Sequence, residues 1–200
     1  MLDFDGETLR TVLRRFATGV AVVTTWDGDQ PWGTTVNSFT SVSLRPPLVL
    51  VAFDRQRKIV PALRRTRRYA VNILGEDNRG LADCFAGGPA PSDGANLDPN
   101  SGGASGGASG GAGRDRLCGA EWRPGATGLP VLVYAIAALE CTVLDVHPSG
   151  DHDLFIARVD SAVAGASTTG REPMPLIYYS GLYLKIERAI AHELEGKAER

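Results

Sequence analysis

The stretch from residue 34 to residue 53, TTVNSFTSVSLRPPLVLVAF, most constrains what this chain can fold into. Pro46 and Pro47 stop any helix before the aliphatic run, and β-branched residues dominate on both sides of them. The polar side chains of the first half are neutral hydroxyls and amides, at Asn37, Ser38, Thr40, Ser41 and Ser43. The stretch therefore predicts strands whose side chains suit a planar ligand with a polar edge better than a metal ion or a covalent intermediate.

Composition excludes several classes of function. The length of 200 residues predicts one domain over residues 1–200. The net charge of −2 means that the chain has no overall positive charge to attract nucleic acid. The start, MLDFDGETLR, has no apolar core of a signal peptide, and the longest uncharged apolar stretch, residues 129–139, is too short for a membrane helix. We therefore expect a cytoplasmic protein that binds neither nucleic acid nor membrane.

The three cysteines, Cys84, Cys118 and Cys141, are odd in number and widely spaced. They form neither a disulfide framework nor a CxxC metal motif. We expect three free thiols and no metal site.

Hydrophobic periodicity predicts a mainly β protein with a few short helices. Residues 5–18, 58–66 and 78–86 show helical patterns, with Asp5 as the N-cap and Gly19 as the C-terminal glycine of the first. Strands are expected at residues 20–25, from Trp32, at 48–53 (buried on both faces), 69–74, 130–146, 151–163, 176–179 and 182–188. Seven or so strands with few helices favour an antiparallel barrel.

A low-complexity insertion interrupts this pattern at about residues 87–117. Residues 101–112 read SGGA three times, and no GxxxxGK[ST] phosphate loop is present. Such a composition buries little apolar surface, so a flexible surface loop is expected.

Two further clusters are candidates for chemistry. Seven of the 21 Lys and Arg residues lie within residues 55–68. Arg55, Arg57 and Lys58 follow a strand at the start of a helix and suit an anion, whereas residues 64–68 are expected to be a solvated helix face. The second cluster, GDHDLF, places His152 after a turn, where it is either a ligand-binding or simply an exposed histidine.

In order along the chain, FATGVAVVTT, TVNSFTSVSLRPPLVLVAFDR, AVNIL, GLPVL, LEC, GDHDLF and PLIYYSGLY resemble the signature blocks of the flavin reductase-like family. The resemblance spans about residues 8–188 without the insertion. It implies an FMN-binding, Greek-key split β-barrel that forms a homodimer with flavin near the interface. It also implies a reductase that uses NADH or NADPH to reduce FMN or FAD for a partner flavin-dependent monooxygenase.

The resemblance also assigns roles by position. The flavin ring and ribityl chain are expected against Thr35, Val36, Asn37, Ser38, Phe39, Thr40, Ser41 and Ser43. Asp54, Arg55 and Lys58 are expected near the ribityl chain and phosphate, with Asp151, Phe155 and Tyr183 completing the cofactor site. His152 is expected beside the nicotinamide, in a positioning role.

One departure from the family pattern lies beside the expected phosphate site. Where relatives carry small hydroxyl residues after Asp-Arg, this chain has Gln56, Arg57 and Ile59. Charge is therefore expected to replace hydroxyl contacts, which leaves FMN and FAD both open. A non-catalytic flavin-binding module and a pyridoxamine-phosphate-oxidase-like enzyme remain the alternatives on the same barrel.

Overall fold

The computed structural model describes residues 5–88, 117–165 and 172–186, and antiparallel strands make up most of them. The helices are α1 (Gly6–Leu13), α2 (Val60–Thr66) and α3 (Arg79–Phe85). The strands up to α3 are β1 (Thr18–Gly19), β2 (Ala21–Asp27), β3 (Gln30–Val36), β4 (Phe39–Leu44), β5 (Pro47–Asp54) and β6 (Arg68–Leu74). The later strands are β7 (Trp122–Pro124), β8 (Pro130–Leu132), β9 (Ala135–Ser149), β10 (His152–Ala164), β11 (Ile177–Tyr179) and β12 (Leu182–Leu184).

The main sheet has seven antiparallel strands in the order β3-β2-β6-β9-β10-β5-β4. Its two edge strands are consecutive in the chain, because β3 ends at Val36 and β4 begins at Phe39. Cα atoms are about 3.8 Å apart along the chain, so the edges meet within about 11 Å, whereas a flat sheet would separate them by about 29 Å. The sheet therefore curls into a barrel that is open between β3 and β4. We call residues 36–40, which cross this opening, the seam.

The mainly β fold is confirmed, with corrections to individual elements. Asp5 caps α1 by accepting a hydrogen bond from Thr8 N at 2.8 Å. The helix ends at Leu13 rather than near residue 18, and Gly19 does not end it, because β1 pairs instead with β11. The predicted strand at 130–146 is two strands, interrupted at residues 133–134. The prediction that residues 48–53 are buried on both faces is wrong, since alternate residues of β5 are only half-buried.

The barrel interior holds the larger apolar cluster. Phe53 of β5 and Phe155 of β10 are 2% and 0% exposed and pack edge to face with ring centroids 5.2 Å apart. A second cluster joins α3 to the β1-β11-β12 sheet and includes Phe85, Leu117 and Leu176. Because both clusters are apolar and buried, the strands around the seam have a rigid base.

The expectation of three free thiols is wrong. Cys84, in α3, and Cys118 form a disulfide across a sequence separation of 34, with Cα atoms 6.1 Å apart. Spacing could not show this pairing, because packing of the second cluster brings the two residues together. Cys141 is a free, buried thiol. Most of the expected insertion, residues 89–116, lies outside the described residues.

None of the helices described is long and apolar enough to cross a membrane.

Candidate functional site

A cavity of about 1300 Å³ lies between α1 and the seam. Six residues predicted for the flavin site line it, namely Val36, Asn37, Ser38, Phe39, Thr40 and Asp151. Thr18 of β1 and Tyr178 of β11 complete part of the wall. The opening of the barrel and the predicted ligand segment therefore coincide.

The side chains of the seam and of Thr35, just before it, divide between those that can bind a ligand and those that hold the seam in place. The Thr35 hydroxyl donates to Ala82 O at 2.7 Å, which ties β3 to α3 outside the cavity. The Ser38 hydroxyl donates to Ala52 O at 2.7 Å and so fixes the seam to β5, while its oxygen keeps acceptor capacity. Asn37 is exposed and presents both amide donors and a carbonyl acceptor.

The other predicted residues lie outside the cavity lining, namely Thr35, Ser41, Ser43, Asp54, Arg55, Lys58, His152, Phe155 and Tyr183. Ser41 and Ser43 are further along β4, where Ser43 Oγ accepts a hydrogen bond from Arg45 N at 3.2 Å. Phe155 has no exposed surface and is a core residue. Tyr183 packs against Tyr178, with ring centroids 5.4 Å apart, and burial raises its pKa. Tyr183 therefore supports a wall residue of the cavity.

The hairpin between β9 and β10 presents His152. Gly150 takes a φ of 61°, which a residue with a side chain rarely adopts, and the turn brings His152 opposite Asp54 of β5. His152 Nδ1 lies 2.7 Å from Asp151 Oδ1, and this hydrogen bond holds the pKa of Asp151 below its usual range. With Asp151 ionised, Nδ1 is the donor of this hydrogen bond, which fixes the orientation of the ring.

A buried carboxylate that the sequence analysis missed fixes the base of this hairpin. Asp153 is 1% exposed and accepts hydrogen bonds from Arg55 Nε at 3.0 Å and from Arg64 Nη2 at 2.6 Å. Arg55 also donates from its backbone N to Asp151 O at 3.1 Å and from Nη2 to His152 O at 3.3 Å. One arginine thus contacts three consecutive residues around His152. One feature of the sequence could have revealed Asp153. It lies two residues before the core residue Phe155 in β10, so both side chains point to the same face of the strand.

Arg64, Arg65 and Arg67 are exposed, as expected of a solvated face, but their side chains also make specific contacts that the sequence did not predict. Arg64 binds Asp153, and Arg65 pairs with Asp27 of β2. Arg67 donates to the carbonyl oxygens of residues 143 and 144, and Arg68 to Thr127 O. These side chains connect α2 and its C-terminal end to the rest of the fold.

Acid is expected to destabilise the protein through Asp153. Burial would raise the pKa of this carboxyl, but the hydrogen bonds from Arg64 and Arg55 outweigh burial and lower it. A carboxyl whose pKa is lower in the folded chain adds stability above its unfolded pKa of about 3.9, and loses it as the pH falls through the folded pKa. Urea midpoints should therefore fall below about pH 4. Asp153→Asn should lose the part of this acid-dependent fall that comes from Asp153. A pH dependence in that variant equal to that of wild type would show that Asp153 does not cause it.

The cavity walls fit a flavin. The seam wall presents neutral hydrogen-bonding side chains, at Asn37, Ser38 and Thr40. The α1 wall carries the apolar residues Leu9, Leu13 and Phe16, with the charged residues Glu7, Arg10 and Arg14 beside them. An isoalloxazine has the same division, with a polar pyrimidine edge and an apolar dimethylbenzene end. The buried hydroxyl of Thr18, which also lines the cavity, has no hydrogen-bond partner among the residues that the structure describes.

Comparison with known proteins agrees with this fit. A family model described as flavin reductase like domain matches residues 13–187. The chain is 31% identical over 185 residues to the reductase subunit HsaB of a flavin-dependent monooxygenase of Mycobacterium tuberculosis, covering 92% of this chain and 84% of that protein. It is 34% identical over 182 residues to an NADH-dependent flavin reductase of a Rhodococcus species, covering 90% and 85%.

The fold is also similar to solved structures. One is the NADH:FAD oxidoreductase SgcE6 of Streptomyces globisporus C-1027 in complex with NAD and FAD fragments, with a TM-score of 0.72 and 28% identity. That comparison covers 92% of this chain and 93% of the other.

Proposed function

This chain belongs to the flavin reductase-like family, and on that premise we propose that it is the NADH-dependent reductase component of a two-component flavin monooxygenase. It reduces FMN or FAD and supplies the reduced flavin to a separate oxygenase. The observation that carries the proposal is the cavity at the barrel opening, which is lined both by neutral polar residues of the seam and by the apolar residues Leu9, Leu13 and Phe16.

The seam holds the flavin by hydrogen bonds rather than by charge. When bound, a flavin accepts a hydride from the nicotinamide, and this transfer requires positioning rather than a protein acid, base or nucleophile. Asn37 and the seam backbone bind the polar edge of the ring, with Val36, Phe39 and Thr40 beside it. Thr35 and Ser38 keep the seam in place through their hydrogen bonds to Ala82 O and Ala52 O. Ser41 and Ser43 continue the β4 side of the opening.

The strand end beyond β5 supplies the positive charge for phosphate. Arg55 and Lys58 take this role, with Asp54 next to the ribityl chain. Arg55 is oriented by Asp153, and Asp54 Oδ1 accepts a hydrogen bond from Gln56 N at 2.8 Å, which shapes the turn. Charge and turn geometry thus stand in for the hydroxyl residues that this segment lacks.

We further propose a homodimer and a cytoplasmic, single-domain enzyme. Exposed apolar side chains on β4 and β12 support the dimer, with Val42 50%, Leu44 84%, Leu182 44% and Leu184 41% exposed. An interface between two copies would cover such residues. Light scattering of the purified protein measures this, and a monomeric mass at micromolar concentration would contradict it.

The activity itself is tested by following NADH and NADPH oxidation with FMN and with FAD. We expect turnover with NADH and at least one of the flavins, and an increase in oxygenase product when a flavin-dependent monooxygenase is added. Binding of flavin without oxidation of either nicotinamide would indicate the non-catalytic module instead. Oxidation of pyridoxamine phosphate would indicate the third alternative.

His152→Ala is expected to raise the KM for NADH about tenfold, because one hydrogen bond is worth up to about 1.5 kcal/mol. In the proposed complex, the Asp151-oriented ring contacts the nicotinamide or its phosphate through Nε2. Since His152 neither donates nor accepts the hydride, kcat should change less than KM. Steady-state kinetics with NADH varied at saturating flavin measures both.

His147→Ala is the matched control. His147 and its ion-pair partner Asp145, 2.9 Å away, both lie on β9, next to the strand of His152. His147 is exposed to a similar degree, but it lies outside the hairpin turn. It should leave the NADH KM within twofold of wild type. Equal kinetic constants for His152→Ala and wild type would remove His152 from the nicotinamide site.

A further inference from the structure

Helix α1 has an apolar face that the described part of the chain leaves exposed. No residue of the helix is buried, although its pattern is amphipathic. Leu9 is 43% exposed, Val12 62%, Leu13 60% and Phe16, in the turn after the helix, 75%. Such a row of exposed apolar side chains on one short element indicates a surface that something covers.

The fold holds this face at the candidate site. Leu9, Leu13 and Phe16 line the cavity, whereas Val12 does not. Ser180 N donates to Arg14 O at 2.9 Å, and Thr18 of β1 pairs with Tyr178 of β11, so the end of the helix is anchored to the β1-β11-β12 sheet. The apolar residues thus have a fixed place across the cavity from the seam.

We propose that Leu9, Leu13 and Phe16 form the apolar half of the flavin site and cover the dimethylbenzene end of the ring. This inference rests on the proposed function. The walls support flavin as the occupant, because the hydrogen-bonding seam and the apolar helix face belong to one cavity, and an isoalloxazine needs both. Covering the ring from this side also excludes water from it.

Val12 distinguishes the binding of a flavin on this face from the binding of a second copy of the chain. It is as exposed as its neighbours on α1 but lies outside the cavity lining. A protein partner seated on the whole face would contact Val12 together with Leu9 and Leu13. A flavin in the cavity would contact the latter two alone.

The test compares Leu9→Ser/Leu13→Ser with Val12→Ser and with the conservative Leu9→Met/Leu13→Met. FMN and FAD affinity is measured from flavin fluorescence, the flavin absorption bands report the polarity around the ring, and the Tm of the flavin-free protein reports folding. We expect the double serine variant to bind flavin about 10- to 100-fold more weakly, with bands shifted towards those of free flavin. Its flavin-free Tm should stay close to wild type, since neither leucine is buried. Val12→Ser and the methionine variant should bind within about threefold of wild type.

Wild-type affinity in the double serine variant would overturn the inference while leaving the reductase function intact. Equal weakening by Val12→Ser, together with a change of oligomeric mass, would overturn it in favour of a second copy. Failure of the wild-type protein to bind either flavin would overturn the proposed function and this inference with it.

Discussion

Asp153→Ala is expected to lower the free energy of unfolding by about 3 kcal/mol, at the lower end of the cost of breaking a buried ion pair. The carboxylate is 1% exposed and joins Arg55 in the turn after β5 to Arg64 in α2. The arginine side chains are 44% and 49% exposed, so water can solvate them once the carboxylate is gone, which limits the loss. Urea denaturation measures the difference.

The same variant should also impair function, because Arg55 contacts the carbonyl oxygens of Asp151 and His152. We expect the KM for NADH to rise even at temperatures where the variant is fully folded. Asp160→Ala is the control, since Asp160 pairs with Arg158 on the same strand at 2.8 Å but lies at the surface. Asp160→Ala should lower the free energy of unfolding by less than about 1 kcal/mol. Equal losses in the two variants would show that Asp153 has no special role.

Reduction of the disulfide is expected to lower the free energy of unfolding by about 3 to 4 kcal/mol, the loss of loop-closure constraint for a loop of this size. Cys84 and Cys118 are 34 residues apart, and the covalent bond restricts the unfolded chain over that whole length. Urea denaturation with and without a phosphine reductant measures the difference. Cys84→Ser should reproduce it.

Thiol counting provides the control. Burial raises the pKa of Cys141 to about 12, so this thiol should react with a disulfide reagent only after unfolding. We expect one thiol in the unfolded oxidised chain and three after reduction. The Cys84→Ser/Cys118→Ser variant should not respond to reductant, and three thiols before reduction would show that the bond does not form in solution.

Local chemistry made much of the fold predictable. Asp5 had to cap a helix, the aliphatic run after Pro46 and Pro47 had to be a strand, and hydroxyl-rich residues 36–40 had to face something polar. These features depend on neighbours a few residues away, and the structure confirms the cap and the strand. That residues 36–40 cross the barrel opening was not visible, because it depends on the order of all seven strands.

Long-range contacts account for what the sequence analysis missed. Asp153 is a charge inside an apolar strand, and its partners come from residues about ninety to a hundred positions away. The cysteine pairing likewise depends on how α3 packs. The apolar face of α1 was visible as a pattern, but a pattern cannot tell a face that packs on the core from one that lines a cavity.

The 6.1 Å between the Cα atoms of Cys84 and Cys118 means that the two described segments on either side of residues 89–116 end close to each other. A whole protein domain could be spliced in there without separating α3 from β7, because the two ends of a guest domain usually lie close together too. If the guest were the oxygenase component, reductase and oxygenase would share one polypeptide. Their effective concentration would be in the millimolar range, whatever the dilution. Reduced flavin would then travel a fixed, short distance before oxygen could consume it.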